Sequence, residues 1–217
     1  MAVLADGMGG HSGGSMAAEQ VMLTAEQNFH AFKPLHESPE HLLASVVNDA
    51  HTVIKLTRFT SEKDPHSTAV VFLLQPGKAH WAHCGDSRMY HFRGRETVSR
   101  SVDHSLVADL VRKGRLTEAE AEHHPQRNVL LSCLGSEREP RIEHGHAAPL
   151  AAGDSFLLCS DGLWGYFADH ELAAAVDSGP ARHGARILVE EARRRAGGYG
   201  DNISVAIIKV VEAPARA

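Results

Sequence analysis

Four aspartates in this chain share one local pattern, because each stands beside glycine or asparagine where an apolar run meets a loop. The stretches that carry Asp6, Asp86, Asp161 and Asp201 are LADG (4 to 7), GDSR (85 to 88), CSDG (159 to 162) and GDNI (200 to 203). A carboxylate at the end of a buried strand needs compensation, since burying it unpaired is very costly. Arg88 is the only arginine next to any of them. The set therefore indicates a hard divalent cation with oxygen ligands, Mg²⁺ or Mn²⁺.

A single Asp-Gly pair more often forms a turn or a helix cap than a metal site. Four such aspartates at similar strand-to-loop junctions favour a shared site. The glycine-rich start DGMGGHSGG lacks the lysine of a phosphate-binding P-loop. The cysteines Cys84, Cys133 and Cys159 form no CxxC pair and no Cys-x5-Arg phosphatase loop, and the two that lie in apolar strand-like stretches are interpreted as core residues. The sixteen histidines are dispersed without HExxH spacing, so a histidine zinc site is not indicated.

Composition narrows the class of protein. The chain has 217 residues, 43% of them hydrophobic and 23% charged, which suits one globular domain over residues 1 to 217. A formal charge of -5 and the lack of a long basic run argue against nucleic acid as a partner. No stretch approaches the roughly 20 apolar residues of a membrane helix, and the start does not resemble a secretion signal. These features predict a cytoplasmic protein.

Two helices are predicted early in the chain, and they should pack on a flat apolar partner. Apolar residues recur every three or four positions from Ser15 to about Phe29. A second helix is expected over Ser38 to Thr57, capped by Ser38 and with Pro39 in its first turn. Its apolar face would consist of Leu42, Leu43, Val46, Val47, Ala50 and Ile54.

Short strands follow, separated by turn residues, as in an antiparallel meander. They are expected at 67–75, 78–85, 87–93 and 96–101, after a first strand at Ala2 to Ala5. Later strands are predicted at 141–147, 154–160 and 202–211, and a second helix pair at 169–177 and 181–196. This order, without alternating βαβ units, predicts an α+β fold. Its arrangement would be a four-layer αββα sandwich of two antiparallel sheets flanked by helix pairs.

The segment from about 105 to 130 differs from its surroundings. Residues 105 to 125 have a charged helical pattern with few core-sized side chains, so we expect a mobile excursion from the fold.

At this point the motifs resemble a known family, the metal-dependent PP2C-like serine/threonine protein phosphatases of bacterial type. The resemblance is carried, in order and spacing, by DGMGGH (6 to 11), STAVVFLL (67 to 74), GDSRMY (85 to 90), LLCSDGLW (157 to 164) and GDNISVAII (200 to 208). It spans nearly the whole chain. The family's αββα sandwich agrees with the fold expected from the patterns.

Carried over by position, the resemblance implies two Mn²⁺ or Mg²⁺ ions. Asp6 would bridge them, the main-chain carbonyl of Gly7 would bind one, and Asp161 and Asp201 would complete the first metal site. Asp86 would help to hold a third, weaker ion. Thr68, Ser160 and Asn202 would support these ligands, and Arg88 would brace the sheet.

The resemblance also implies the reaction. A water or hydroxide between the two ions would attack phosphorus in line, so no covalent intermediate is needed. The leaving serine or threonine oxygen needs a proton, which His11 or a metal-bound water would supply, since Met8 stands where animal relatives have a histidine. Residues 105 to 130 would form a flap that gates the phosphoprotein. Substrates would be phosphoproteins, in opposition to a serine/threonine kinase.

Family members normally carry one or two further strands before the Asp-Gly motif, with an arginine that grips phosphate and an acidic residue that orders metal-bound water. The sequence lacks this region, so we expect reduced activity and an open sheet edge that favours self-association. Alternatively, the true start lies upstream.

Two other hypotheses stay open at the level of sequence. One is a catalytically weak or inactive phosphoprotein-binding module, and the other a calcium-stabilised structural domain. Survival of all the metal aspartates favours the enzyme.

Overall fold

The computed structural model describes residues 1–57 and 63–212. It divides into two compact units, which are described separately. The first unit comprises Met1–Leu73, His80–Ser87 and Val102–Gly145, and the second comprises Leu74–Ala79, Arg88–Ser101 and His146–Ala217.

The elements follow one another in this order: β1 (Ala2–Leu4), β2 (Gly7–Met8), α1 (His11–Ala31), α2 (Pro39–Thr57), β3 (His66–Ser67), β4 (Ala69–Gln75), β5 (Lys78–Cys84), β6 (Arg88–Arg93), β7 (Glu96–Arg100), α3 (Leu106–Arg112), α4 (Glu118–Glu122), β8 (Glu143–Ala147), β9 (Asp154–Cys159), α5 (Asp161–Trp164), α6 (Asp169–Asp177), α7 (Ala181–Ala196) and β10 (Val205–Lys209).

The first unit is built on a sheet of order β1-β4-β5-β8 and on helices α1 and α2. Strand β1 pairs antiparallel with β4, with Leu4 opposite Val70. The apolar side chains of both helices and of the sheet form one core, which includes Val21, Leu43, Ile54 and Val71, all fully buried. Burying these side chains stabilises the unit and holds β1, the strand that precedes Asp6, in place.

The second unit has its own antiparallel sheet, of order β10-β9-β6-β7, and helices α5, α6 and α7. Strand β9 is central and buried along its whole length, and β10 pairs with it from Val205 opposite Cys159 onwards. A second core contains Tyr90, Phe92 and Leu188. Mixed helices and antiparallel sheets confirm the α+β class that the sequence predicts.

Helix α1 is longer than the pattern predicts. It covers His11–Ala31 and not Ser15 to Phe29, so Gly13 and Gly14 belong to its first turn. Glycine lowers helix propensity, which is why the sequence pattern places the start too late. Contact with the Asp6-Gly7 turn outweighs this preference, because Gly14 packs there so closely that a Cβ on it would lie 2.4 Å from the carbonyl oxygen of Gly7.

Helix α2 confirms its prediction closely. Its first residue is Pro39, and the Ser38 hydroxyl accepts a hydrogen bond of 3.2 Å from the His41 backbone N–H, as an N-cap does. All six predicted face residues are buried, and His51 joins them. Helices α6 and α7 also have the predicted bounds.

The single meander predicted over 67–101 is wrong in one respect. Strands β4 and β5 belong to the first sheet, whereas β6 and β7 belong to the second. The change of sheet falls at the turn Gly85-Asp86-Ser87, where Gly85 has a φ of +108°. A local alternation of apolar residues cannot show this change, because strands of either sheet have the same period.

The segment after β7 contains two short helices, α3 and α4, and not one continuous helical pattern. Gly114, with a φ of +67°, follows the first helix. The two ends of the segment are joined by backbone hydrogen bonds, from Leu106 N–H to the Val129 carbonyl (2.8 Å) and from Leu131 N–H to the His104 carbonyl (2.7 Å). The segment therefore leaves and re-enters the first unit at one place.

None of the helices within residues 1–57 and 63–212 combines the length and the hydropathy that a membrane span requires. Cys84 and Cys159 are buried, as expected of core residues, whereas Cys133 is partly exposed.

Candidate functional site

Asp6 follows β1 after one residue, Ala5, and both its backbone N–H and its carbonyl are hydrogen-bonded. Its N–H donates to the Thr68 hydroxyl at 3.1 Å, and its carbonyl accepts from the Thr68 N–H at 2.9 Å and from the Ser67 hydroxyl at 3.1 Å. Gly7 follows with so little space that a Cβ would lie 1.9 Å from the Gly14 carbonyl oxygen. The first turn of α1 therefore packs directly on the Asp-Gly turn, which only glycine permits.

Asp86 lies in the same unit, in the turn between β5 and β6. Thr68, 1% exposed, connects this turn to Asp6, because its hydroxyl also forms a hydrogen bond of 2.7 Å with the Ser87 hydroxyl. A Cβ on Gly85 would lie 2.6 Å from the Thr68 methyl carbon. One buried threonine thus holds the two aspartate turns of the first unit together.

Asp161 belongs to the second unit and is the first residue of α5, directly after β9 and Ser160. A carboxylate in the first helical turn stands near backbone N–H groups that lack helical partners. Gly162 is again a close-packed glycine, since a Cβ there would lie 2.1 Å from the Asn202 carbonyl oxygen.

Asp201 and Asn202 precede β10, beside the Asp161 turn. The Ser160 N–H donates to the Ser204 carbonyl and the Ser204 N–H donates to the Ser160 hydroxyl, both at 3.1 Å. The Asp201 carboxylate accepts a hydrogen bond of 2.7 Å from the Asn202 N–H. The second unit therefore holds the turns of Asp161 and Asp201 against each other, as the first unit holds the turns of Asp6 and Asp86.

Arg88 has the bracing position that the sequence analysis expects. Its guanidinium lies 3.5 Å from the centre of the Trp164 ring and donates to the Tyr90 hydroxyl at 3.2 Å. A guanidinium stacked on an aromatic face contributes to packing of the second unit.

His11 is the first residue of α1, and its side chain lies outside the described part of the structure. Cysteine chemistry is disfavoured, because burial raises the pKa of the Cys84 thiol to about 12 and also raises the pKa of Cys133. These thiols are therefore protonated and poorly nucleophilic at neutral pH.

A pair of buried histidines lies beside the Asp86 turn, and the sequence analysis missed it. The rings of His83 and His104 stack with their centres 4.7 Å apart. Together with Glu143 they bring ligand-type atoms within 4.8 Å of one another. Burial lowers the pKa of both histidines, and the adjacent His83 helps to lower that of His104, to about 4. Both rings are therefore neutral at pH 7. Their sequence separation of 21 residues carries no local signal.

A cleft of about 320 Å³ opens in the first unit where the 105–130 segment returns. Its lining includes His66, Leu131, Cys133 and Arg138. His66 pairs with Met8 in the small β2–β3 sheet, so one lining residue of the cleft belongs to the strand that pairs next to the Asp6-Gly7 turn.

Protein phosphatases resemble this chain both in sequence and in structure. The family model "Protein phosphatase 2C" matches residues 1–179. The chain is 34% identical to the protein phosphatase PhpP of Streptococcus pneumoniae, over 100% of this chain and 88% of that protein. It matches the structure of the S. agalactiae serine/threonine phosphatase with a TM-score of 0.86 and 29% identity, covering 97% of this chain and 86% of that one.

A further solved structure is the catalytic domain of the serine/threonine protein phosphatase PstP in complex with two manganese ions. This chain matches it with a TM-score of 0.80 and 30% identity, over 97% of this chain and 87% of that one.

Proposed function

This chain belongs to the protein phosphatase 2C family and is a metal-dependent serine/threonine protein phosphatase, and we propose that Asp6, Asp161 and Asp201 hold its two catalytic metal ions. The Gly7 carbonyl would add a ligand, and Asp86 would bind a third ion. The observation that carries the proposal is the repeated design of the two units, each of which joins two aspartate turns through a close-packed glycine and a buried hydroxyl.

The donor set fits Mn²⁺ or Mg²⁺. It consists of carboxylate and main-chain carbonyl oxygens, the ligands that these hard cations prefer. The glycines at 7 and 162 allow backbone groups to approach where any side chain would collide. Bound ions would lower the pKa of a shared water and neutralise charge on the phosphoryl oxygens.

The chain's own residues orient this chemistry. Thr68 and Ser160 fix the backbones on which Asp6 and Asp161 stand. Arg88 would brace the second unit without touching phosphate, in keeping with its contact to Trp164. His11 would donate the proton to the leaving oxygen, since it is the first titratable side chain after Asp6.

The substrates are phosphoproteins. We propose that the cleft beside Cys133 and Arg138 accepts polypeptide next to the phosphorylated residue, and that the 105–130 segment gates it, because the cleft lies where that segment returns. We further propose that the two units act as one phosphatase domain, since the family match runs through both. We also propose that the protein is cytoplasmic, that it opposes a serine/threonine kinase, and that it self-associates through a sheet edge.

The experiment compares Mn²⁺-dependent dephosphorylation of a phosphothreonine peptide by the wild type, Asp6→Asn and Asp161→Asn. We expect each variant to lose roughly a thousandfold in rate, because each removes a metal ligand but keeps the side-chain volume. Asp49→Asn and Asp177→Asn are matched controls in the two units, since both aspartates make exposed contacts, to Asn28 and Arg95 respectively. A wild type no faster than the two ligand variants would overturn the assignment. Titration with Mg²⁺, Mn²⁺ and Ca²⁺ identifies the preferred ion.

A further inference from the structure

His104 connects two features of the first unit, the Gly85–Asp86 turn and the base of the 105–130 segment. Its backbone N–H donates to the Gly85 carbonyl at 2.9 Å, and its ring Nδ1 lies 3.2 Å from the Gly85 backbone nitrogen. Its own carbonyl accepts the 2.7 Å hydrogen bond from Leu131. One residue therefore binds both polar backbone groups of Gly85 and also closes the base of the segment.

The hydrogen bonds determine which ring nitrogen of His104 carries the proton. The Gly85 N–H can only donate, so Nδ1 accepts and Nε2 carries the proton of the neutral ring. Nε2 lies 3.7 Å from a carboxylate oxygen of Glu143. His83 is in the same tautomer, because its Nε2 donates to the Val102 carbonyl at 2.9 Å and its Nδ1 keeps the lone pair.

This proton position argues against a metal ion in the histidine cluster, although three ligand-type side chains meet there. His104 presents an N–H and not a lone pair, and Glu143 is already paired with the guanidinium of Arg141. The role of the pair is therefore to be sought in what His104 holds.

We propose that His104 is a positioning residue that fixes the Gly85–Asp86 turn, so that the Asp86 carboxylate is set for a metal ion, and that it ties this turn to the base of the 105–130 segment. The inference rests on the proposed function, which assigns Asp86 to the third ion.

The turn depends on such a clamp because its backbone has little freedom. Gly85 has a φ of +108°, and its α-carbon faces the Thr68 side chain so closely that a Cβ would lie 2.6 Å away. Thr68 also holds Asp6 and Ser87. Loss of the clamp would therefore leave the Gly85 N–H without its acceptor beside the two aspartate turns of this unit.

Two substitutions of His104 distinguish the role of its Nδ1 as a hydrogen-bond acceptor from the effect of side-chain size. Asparagine places its amide oxygen near the position of Nδ1, so His104→Asn keeps an acceptor for Gly85. Glutamine places its amide near Nε2, so His104→Gln keeps a polar group toward Glu143 but loses that acceptor. We expect His104→Gln to raise the Mn²⁺ concentration for half-maximal activity about tenfold, as loss of a partner that orients a metal ligand does. His104→Asn should stay within about twofold of the wild type.

Two controls show that the effect passes through Asp86. His91→Gln alters a comparably buried histidine of the second unit, bonded to Asp154, and should lower thermal stability but leave the Mn²⁺ requirement unchanged. In an Asp86→Asn background, His104→Gln should produce no further rise, because the two residues act as a unit.

Calorimetric titration with Mn²⁺ gives a readout independent of turnover, in which His104→Gln should weaken only the weakest site. Equal behaviour of the Asn and Gln variants, or a full additional effect of His104→Gln in the Asp86→Asn background, would overturn the inference. A wild type that binds Mn²⁺ with only two ions would overturn it as well. A wild type that binds three ions but releases no phosphate contradicts the proposed function and leaves the clamp supported if its weakest site still depends on His104.

Discussion

The two Asp-Gly turns, at Asp6-Gly7 and at Asp161-Gly162, both pack tightly against a backbone carbonyl group, but the two carbonyl groups come from different parts of the chain. In both, an aspartate stands two residues after the last residue of a strand, and the next residue is a glycine on which a Cβ would lie only 1.9 Å (Gly7) or 2.1 Å (Gly162) from a carbonyl oxygen. The carbonyl that faces Gly7 belongs to Gly14, seven residues later in the same motif. The carbonyl that faces Gly162 belongs to Asn202, forty residues away.

This difference indicates what each glycine protects. Gly7 lets the first turn of α1 pack on the Asp6-Gly7 turn of the same motif, so this contact is local in sequence. Gly162 lets the Asp161 turn pack closely on the loop of Asp201 and Asn202, which is distant in sequence, so it governs how near these two loops can come. A substitution at either glycine should harm the enzyme, but through a different pair of neighbours.

The largest expected effect comes from Gly7→Ala and Gly162→Ala. Each added methyl would meet backbone and not a flexible side chain, so we expect about 3 kcal/mol of lost stability or more, with activity falling in parallel. Urea unfolding and Mn²⁺-dependent phosphate release measure both. If Gly162→Ala kept full activity, the close approach of the two loops would not be needed for the site.

The next-largest expected effect is on stability at low pH, where His104 of the first unit and Asp154 of the second unit should lose their contributions at different pH values. The folded-state pKa of His104 is about 4, below its ordinary value, so its contribution is complete above about pH 6.5 and is lost as the pH falls toward 4. This loss amounts to roughly 3 kcal/mol at most. Asp154 of the second unit is buried, which would raise its pKa, but hydrogen bonds from Arg93, the Ala151 N–H and His91 lower it overall. Its contribution is therefore lost only below about pH 4.

Urea unfolding from pH 7.5 down to pH 3 tests this order. His104→Asn should flatten the decline between pH 6.5 and 4, whereas Asp154→Asn should alter the profile only at lower pH. The same slope in the wild type and in His104→Asn would show that this histidine is not the group that titrates.

A smaller effect is expected from the hydroxyls that hold the turns. Thr68→Val leaves the Asp6 N–H without its acceptor, and Ser160→Ala does the same to the Ser204 N–H, so each should cost about 1 to 3 kcal/mol. Thr68 joins two aspartate turns, so Thr68→Val should also raise the Mn²⁺ requirement more than Ser160→Ala does. Thr68→Ser, which keeps the hydroxyl, is the control, and equal metal requirements in the two variants would contradict the comparison.

The smallest effect has the opposite sign. Gly13 stands one residue before Gly14 in α1, but the nearest atom to a Cβ there is 3.7 Å away, an ordinary contact. Gly13→Ala should therefore stabilise the protein by about 0.5 to 1 kcal/mol through a smaller loss of backbone entropy. Thermal denaturation should show a rise in Tm; a fall would mean that the first turn of α1 needs both glycines.

Much of the fold follows from the sequence because its signals are local. The apolar face of α2, its Ser38 cap and the bounds of α6 and α7 are set by residues within a few positions of one another. The aspartate turns are also legible, since each joins an apolar run to a glycine or an asparagine. The sequence pattern places the start of α1 too late, because a contact between Gly7 and Gly14 outweighs helix propensity.

What the sequence by itself determined is the family, and it also named the aspartates proposed as metal ligands, because the residue types and their order along the chain carry both. Only the tertiary structure decided which aspartates share a support, how β5 and β6 divide between two sheets, and that His104 clamps Gly85. The physical reason is that these relations depend on backbone groups of residues up to 62 positions apart. Main-chain N–H and carbonyl groups are the same at nearly every residue, so their pairing leaves no mark in the sequence.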